Sequence, residues 1–379
     1  MILSRAIRFK AQLRIGRICD IFHSARQAPN PQFWRSALEI LDKPPLATDI
    51  REFGPGPGRV VQVTPQPGVS PNDAPLNGPP TLLSQFDRIA EIVDRHLLRE
   101  GAILFRGFDI LGEQPFQAFA AAFGDALLDY RFGSTPRTDL GDGVYTSTEY
   151  PAHQVIPLHN EQSYTLAWPL RLWFHCVLPA EEGGETPIAD SRIIYNRLDP
   201  ALRSRFAEKR LCYSRNYGGG LDVPWQKVFG TDDRATVEGY CRDNGIQCEW
   251  KPDGDLRTRQ IVQAVADHPL TGETVWFNQA HLFHVSNLDP VVQEALMSIA
   301  GDPWNLPRNV FYGDGTPLEI SVLDEIRGVL DECTIAFPWQ KGDVLMLDNM
   351  LFAHARSTFK GKRKVLVAMA RPVEEGRLA

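Results

Sequence analysis

The stretch Gly342-Asp343-Val344-Leu345-Met346-Leu347-Asp348-Asn349-Met350-Leu351-Phe352-Ala353-His354 is two apolar runs joined around Asp348-Asn349, the pattern of a β-hairpin that ends on a histidine. Further short runs of the same kind lie outward from it. Leu170 to Leu178, Leu211 to Tyr213, Thr274 to Phe277, Thr334 to Phe337 and Lys364 to Ala370 all read as strands. Helical spacing interrupts them. Leu82, Leu83, Phe86, Ile89, Ile92, Val93, His96 and Leu97 recur at three and four residues, and Gly101 ends that helix before a strand from Ala102 to Phe108. Phe116, Phe119, Ala120 and Phe123 mark a second helix. Thr316-Pro317-Leu318-Glu319 predicts a cap for a helix over Leu318 to Leu330, and Asp199 to Lys209, Leu256 to Ala266 and Asp289 to Ala300 also read as helices. Many short strands separated by Gly and Pro favour a barrel or jelly roll over a doubly wound parallel sheet. The expected fold is mainly β with flanking α, a jelly roll or barrel with helical insertions.

The chain has 379 residues, 43% of them apolar and 23% charged, which allows a sizeable core and argues against wholesale disorder. Its net charge of −7, without a dense basic patch in the body of the chain, speaks against nucleic acid as a partner. Arg5, Arg8, Lys10, Arg14 and Arg17 alternate with apolar residues in an amphipathic start, and prolines crowd the segment from Pro29 to Pro80. Residues 1–80 are therefore expected to be an extension and 81–379 the main domain. No apolar run reaches the length of a spanning helix, and a cytoplasmic protein is expected. The cysteines at 19, 176, 212, 241, 248 and 333 are scattered without a Cys-x-x-Cys pair, which suits reduced thiols rather than structural zinc. Gly218-Gly219-Gly220 alone does not make a nucleotide site, and no Gly-x-Gly-x-x-Gly fingerprint is present.

Chemistry concentrates around Leu158-His159-Asn160-Glu161. In a strand, residues two apart face the same way, so His159 and Glu161 can offer an imidazole and a carboxylate to one point. A lone His-x-Glu pair is common and usually belongs to a solvated loop. Here a second imidazole is available from His354, and two nitrogens with one carboxylate form the facial set that non-haem Fe(II) oxygenases use. Nine residues after His354, Arg363 opens the final strand, a suitable place for a cation that grips a dicarboxylate.

These motifs, together with His159-Asn160-Glu161-Gln162-Ser163-Tyr164, Gly183-Gly184-Glu185-Thr186-Pro187, Arg215-Asn216-Tyr217 and Trp276-Phe277-Asn278-Gln279-Ala280-His281, give the chain a resemblance over roughly residues 85 to 372. It resembles the iron(II)- and 2-oxoglutarate-dependent dioxygenases of the taurine dioxygenase superfamily, within the branch of clavaminate synthase and amino-acid hydroxylases. The resemblance implies that His159, Glu161 and His354 ligate iron, Glu standing where Asp is more usual. Thr186 and Arg363 then match the groups that hold the distal carboxylate of 2-oxoglutarate. Val367 stands where many relatives have a second arginine, leaving the C1 carboxylate of 2-oxoglutarate without an assigned partner. With Fe(II), 2-oxoglutarate and O2, such an enzyme oxidises an unactivated C–H bond, and hydroxylation of an amino acid, free, peptidic or carrier-bound, is the expected outcome.

Desaturation, cyclisation or epoxidation are alternative outcomes of the same chemistry. A non-catalytic metal-binding jelly roll and a metallohydrolase are alternatives from other classes, neither of which needs Thr186 and Arg363 as a clamp. Arg215, Asn216 and Arg356 are candidates for gripping substrate, because charged and amide groups in apolar surroundings need partners. His281 and His284 read as structural histidines, and Asp348 as a turn residue or a support for a ligand. An oligomer or a carrier protein as partner is left open.

Overall fold

A computed structural model describes residues 46–53, 58–65, 80–110, 112–128, 137–148, 150–218, 222–374 and 376–378. The amphipathic start falls outside them. The fold is mainly β with flanking helices. Its main sheet runs, in spatial order, Leu46–Arg51, Val60–Pro65, Ala102–Phe105, Val344–Asp348, Ala167–Leu178, Lys364–Glu374 and Arg377–Leu378, with Val144–Thr146 also paired to Lys364–Glu374. Every pairing is antiparallel except that of Val60–Pro65 with Ala102–Phe105. Residues 46–65, assigned from sequence to the extension, thus contribute two strands to this sheet.

The central strands read as unbroken apolar runs because both of their faces are covered. Leu345, Leu347, Leu170, Leu172, Phe174, Val365, Val367 and Met369 enter one core. Their alternate neighbours Val344, Met346, Trp173, Leu366 and Ala368 enter another, with Ile89, Val93 and Leu97 of the helix Phe86–Glu100 and Phe116 and Phe119 of the helix Glu113–Ala121. A smaller antiparallel sheet, Ile156–His159, Phe352–Arg356 and Ile188–Asp190, carries the two candidate histidines. Beyond it, Leu211–Tyr217 lies between Leu256–Val262 and Arg308–Tyr312, with Ile246–Trp250 at the edge.

Three expectations change. The segment Leu256 to Ala266, expected helical, forms the strands Leu256–Val262 and Val265–Asp267. Leu256, Thr258, Gln260 and Val262 are buried while Arg257, Arg259 and Ile261 are more exposed, an alternation of period two that decides for strand. The expected cap at Thr316 is absent. Thr316 is held by Asp314 through its backbone N and Oγ1, Pro317 bridges to Phe311, and the helix Ile320–Cys333 starts after Glu319. Thr334 to Phe337 shrinks to one bridge, Ile335 with Ile188. The helices Pro200–Lys209 and Pro290–Ala300 form as expected, each capped by an aspartate, Asp199 and Asp289. Among the described residues no helix is long and apolar enough to cross a membrane.

Gly101 links this framework to the histidine-bearing sheet. It ends the helix Phe86–Glu100 at φ 79°, its N–H donates to Leu97 O at 2.7 Å, and its carbonyl accepts from Asp348 N at 2.9 Å. A Cβ there would lie 2.5 Å from Cδ2 of Phe352, two residues before His354. Left-handed backbone strain and a fully buried ring that cannot yield act together in Gly101→Ala, so the substitution is expected to destabilise the protein by about 2–4 kcal/mol, read as a lower urea midpoint at unchanged slope.

Candidate metal centre

His159 and His354 are direct cross-strand partners on Ile156–His159 and Phe352–Arg356, with ring centroids 4.4 Å apart. His159 Nδ1 donates to Pro157 O at 2.8 Å, which leaves Nε2 with its lone pair free to bind an electrophile. His354 Nε2 lies 3.8 Å from Glu161 Oε2. One ligand atom from each of His159, Glu161 and His354 falls within 4.8 Å of the others. Burial lowers the pKa of both histidines, and for His354 the neighbouring His159 and Arg137 push the same way. Neutral imidazoles at physiological pH are the form that binds a metal, so this donor set fits a divalent ion with open coordination positions.

Strand alternation does not bring Glu161 here, because the strand stops at His159 and Glu161 sits in the turn that follows. Its position comes from Asn349 in the turn before Phe352–Arg356. Asn349 Oδ1 accepts from Glu161 N at 2.7 Å, and its Nδ2 donates to Glu161 O at 3.0 Å and Pro169 O at 2.8 Å. Asn160 donates in turn to Asn349 O at 2.6 Å. Asp348 accepts from the N–H groups of Met350 and Leu351 and pairs with His268 at 3.0 Å, closing the turn.

The Trp276 to His281 motif supports the same turn from behind. Gln279 Nε2 donates to Asn160 O at 2.8 Å, and His281 Nε2 donates to Leu158 O at 2.8 Å. Burial lowers the His281 pKa to about 4, which keeps that ring neutral. His284 bonds to Ser286. Neither histidine joins the donor set.

A cavity beside the donors is lined by Arg137, Ser147, Ile156, Phe174, Thr186, Arg356, Arg363 and Val367, among others. Thr186 is buried there and accepts from Trp339 Nε1 at 3.2 Å. Arg363 donates to Gly184 O at 2.8 Å and Ser147 Oγ at 3.1 Å, and burial, reinforced by Arg356, lowers its pKa to about 10. It therefore stays cationic through the physiological range.

Arg356 lines the cavity with its guanidinium occupied by four backbone carbonyls, those of Thr148, Tyr150, Pro151 and Gln154. It fastens a loop. Arg215 and Asn216 do not line the cavity. Arg215 pairs with Asp222 at 2.8 Å, and Asn216 bonds to the carbonyls of Trp304 and Leu306 and accepts from Arg257. Arg137 does reach the donors, with Nη2 2.6 Å from Glu161 Oε2 and both side chains almost wholly buried. No periodicity or spacing singled it out in the sequence.

Because Asn349 bonds to both the backbone N–H and the carbonyl of Glu161, Asn349→Ala is expected to weaken Mn(II) binding about 10- to 100-fold, the usual effect of removing a group that orients a ligand. Isothermal titration calorimetry of the metal-free protein measures it.

The family model described as "Taurine catabolism dioxygenase TauD, TfdA family" matches residues 62–369. The chain is 42% identical over 281 residues to the dapdiamide synthesis protein DdaC of Enterobacter agglomerans, covering 74% of this chain and 85% of that one. It is 32% identical over 322 residues to a clavaminate synthase-like protein of Arabidopsis thaliana, covering 80% and 92%. Among solved structures, PvcB of Pseudomonas aeruginosa superposes with a TM-score of 0.50 at 15% identity, over 88% of this chain and 95% of that one, a likeness of fold alone. With most of its length matched by one family and a relative at 42% identity, the chain belongs to the TauD/TfdA family of iron(II)- and 2-oxoglutarate-dependent dioxygenases.

Proposed function

We propose that the chain hydroxylates an unactivated C–H bond of an amino acid or amino-acid-derived molecule in a biosynthetic tailoring step. His159, Glu161 and His354 hold the iron, and Thr186 and Arg363 receive the distal carboxylate of 2-oxoglutarate. One observation carries this reading: the half-buried guanidinium of Arg363, the buried hydroxyl of Thr186 and both imidazoles of the two-imidazole, one-carboxylate set line the same cavity. A metallohydrolase or a non-catalytic module has no use for a dicarboxylate clamp beside its metal. The 42% identity to a protein named for dapdiamide synthesis supports a biosynthetic role. We also read the main sheet and the histidine-bearing sheet as the two halves of a double-stranded β-helix, a reading that their antiparallel strand order supports.

When bound, iron(II) supplies the activation of O2, driven by conversion of 2-oxoglutarate to succinate and CO2. The chain supplies the surroundings. Pro157 O fixes which nitrogen of His159 is free, and Asn349 holds the Glu161 backbone. Arg363 offers a charge-assisted partner to a carboxylate in a cavity to whose wall Ile156, Phe174 and Val367 contribute apolar surface. Arg356, which lines the same cavity, holds the carbonyls of Thr148, Tyr150, Pro151 and Gln154.

Removing a charge-assisted partner is worth about 2–3 kcal/mol, so Arg363→Ala should weaken 2-oxoglutarate binding by ~30-fold or more in the anaerobic Fe(II) protein. Arg371→Ala, whose guanidinium faces Asp125, should stay within threefold. The reverse result would take the clamp away from Arg363. The reaction itself is tested by screening amino acids, small peptides and carrier-bound aminoacyl groups for succinate release, followed by mass spectrometry of product made in ¹⁸O2. One heavy oxygen in the product of a saturated substrate marks hydroxylation, one heavy oxygen added at a C=C marks epoxidation, and loss of two hydrogens without oxygen gain marks desaturation or ring closure; either of the last two would replace it.

A further inference from the structure

We propose that Cys241 and Cys248 are a modification site, a dithiol that a hydroperoxide converts to a reversible disulfide, with Cys248 reacting first and Cys241 closing the bond. The pair belongs to a small aromatic core with Tyr217, Trp225, Val237 and Leu256, which contains none of the metal donors or cavity residues.

The fold brings the two side chains together from both sides. The helix Arg234–Asp243 buries Val237 and Cys241, four residues apart and therefore on one face. In the strand Ile246–Trp250, Ile246, Cys248 and Trp250 are half-buried while Gln247 and Glu249 are exposed, so Cys248 faces the same core. A tight turn joins the two elements. Asn244 N donates to Tyr240 O at 3.1 Å and Gly245 N to Arg242 O at 3.2 Å, with Gly245 at φ 65°. Asn244 O accepts from Gln260 Nε2 at 2.8 Å, which ties the turn to the strand Leu256–Val262. The thiols end in hydrogen-bond contact.

The two sulfurs are not equivalent. Cys241 is 1% exposed, whereas Cys248 is half-buried on an edge strand, where a small oxidant reaches it. Burial pushes both thiols up, Cys241 to about 12. The hydrogen bond between them adds to the rise at Cys241 and opposes it at Cys248, as expected when the Cys241 S–H donates to the Cys248 sulfur. Cys176 and Cys333 lie buried in two other cores.

The chemistry balances as a two-electron oxidation. The Cys248 thiolate attacks one peroxide oxygen, an S–O bond forms as the O–O bond breaks, and the other oxygen leaves as water with the proton that Cys248 released. The Cys241 sulfur then attacks the Cys248 sulfur, forming the S–S bond and breaking the S–O bond, and the departing hydroxide takes the Cys241 proton. Two thiols are oxidised and one hydrogen peroxide is reduced to two waters. The product ties the helix Arg234–Asp243 covalently to the strand Ile246–Trp250, and a small dithiol reverses it by exchange.

The test treats the full chain, reduced and kept without iron, with a small molar excess of hydrogen peroxide. Trypsin cuts after Arg242, between the two cysteines, so the disulfide appears in the mass spectrum as the Cys241 and Cys248 peptides joined together. The wild-type protein should give that joined pair, and dithiothreitol should separate it again. Cys241→Ser should stop the reaction at the sulfenic acid, trapped on Cys248 by dimedone, while Cys248→Ser should leave Cys241 as a free thiol. Loss of thiols in the wild-type protein without the joined peptides, or Cys248 bound to another cysteine in their place, overturns the pairing. A dimedone adduct on Cys241 in Cys248→Ser overturns the order of the two steps.

Discussion

The side-chain amide of Asn349 is the constraint on which the site depends. One amide accepts from Glu161 N and donates to the carbonyls of Glu161 and Pro169, tying the turn after His159 to the turn before His354 and to the central strand Ala167–Leu178. These bonds are wholly buried, so each would leave an unsatisfied polar group if broken. The cross-strand pairing of His159 with His354 supplies two of the three donors through sheet register alone. The third has no regular structure to hold it, and the amide takes the place of a ladder.

Around that point the charges are arranged unevenly. Arg137, Arg356 and Arg363 line the cavity, Glu161 pairs with Arg137, and the two imidazoles are kept neutral by burial. Each guanidinium is used differently. One faces the donor set, one fastens a loop by its carbonyls, and one stands beside Thr186 at a cavity wall. An excess of buried positive charge in a small apolar enclosure favours dianionic ligands over neutral ones.

The errors in reading the chain have a common physical origin. Leu256 to Ala266 has enough apolar residues to fit a helical stripe, and only its alternating burial beside Leu211–Tyr217 makes it a strand. Thr316 with Pro317 looks like a helix start, yet Asp314 captures the threonine and the β-bridge of Pro317 to Phe311 delays the helix. In both cases a contact distant from the local pattern outweighed a preference worth less than about 1 kcal/mol per residue. Arg215 and Asn216, candidates for gripping substrate, illustrate the same dependence on distant partners. Polar groups among apolar neighbours do need partners, and here they found them in Asp222 and in the carbonyls of Trp304 and Leu306.

The sequence by itself determined the central strands, because unbroken apolar runs around Leu172, Leu345 and Leu366 can be satisfied only by burial on both faces. It also made His159, Glu161 and His354 legible as candidate donors, since they belong to motifs whose residue types carry their chemistry with them, while Thr186 joined Arg363 as a candidate only through the family resemblance. Tertiary structure decided what no spacing encodes. Arg137 reaches Glu161 from 24 residues upstream, and Asn349 reaches it from 188 residues downstream. A guanidinium or an amide has no periodic signature, and its partner is settled by whichever buried polar group the folded chain leaves within 3 Å.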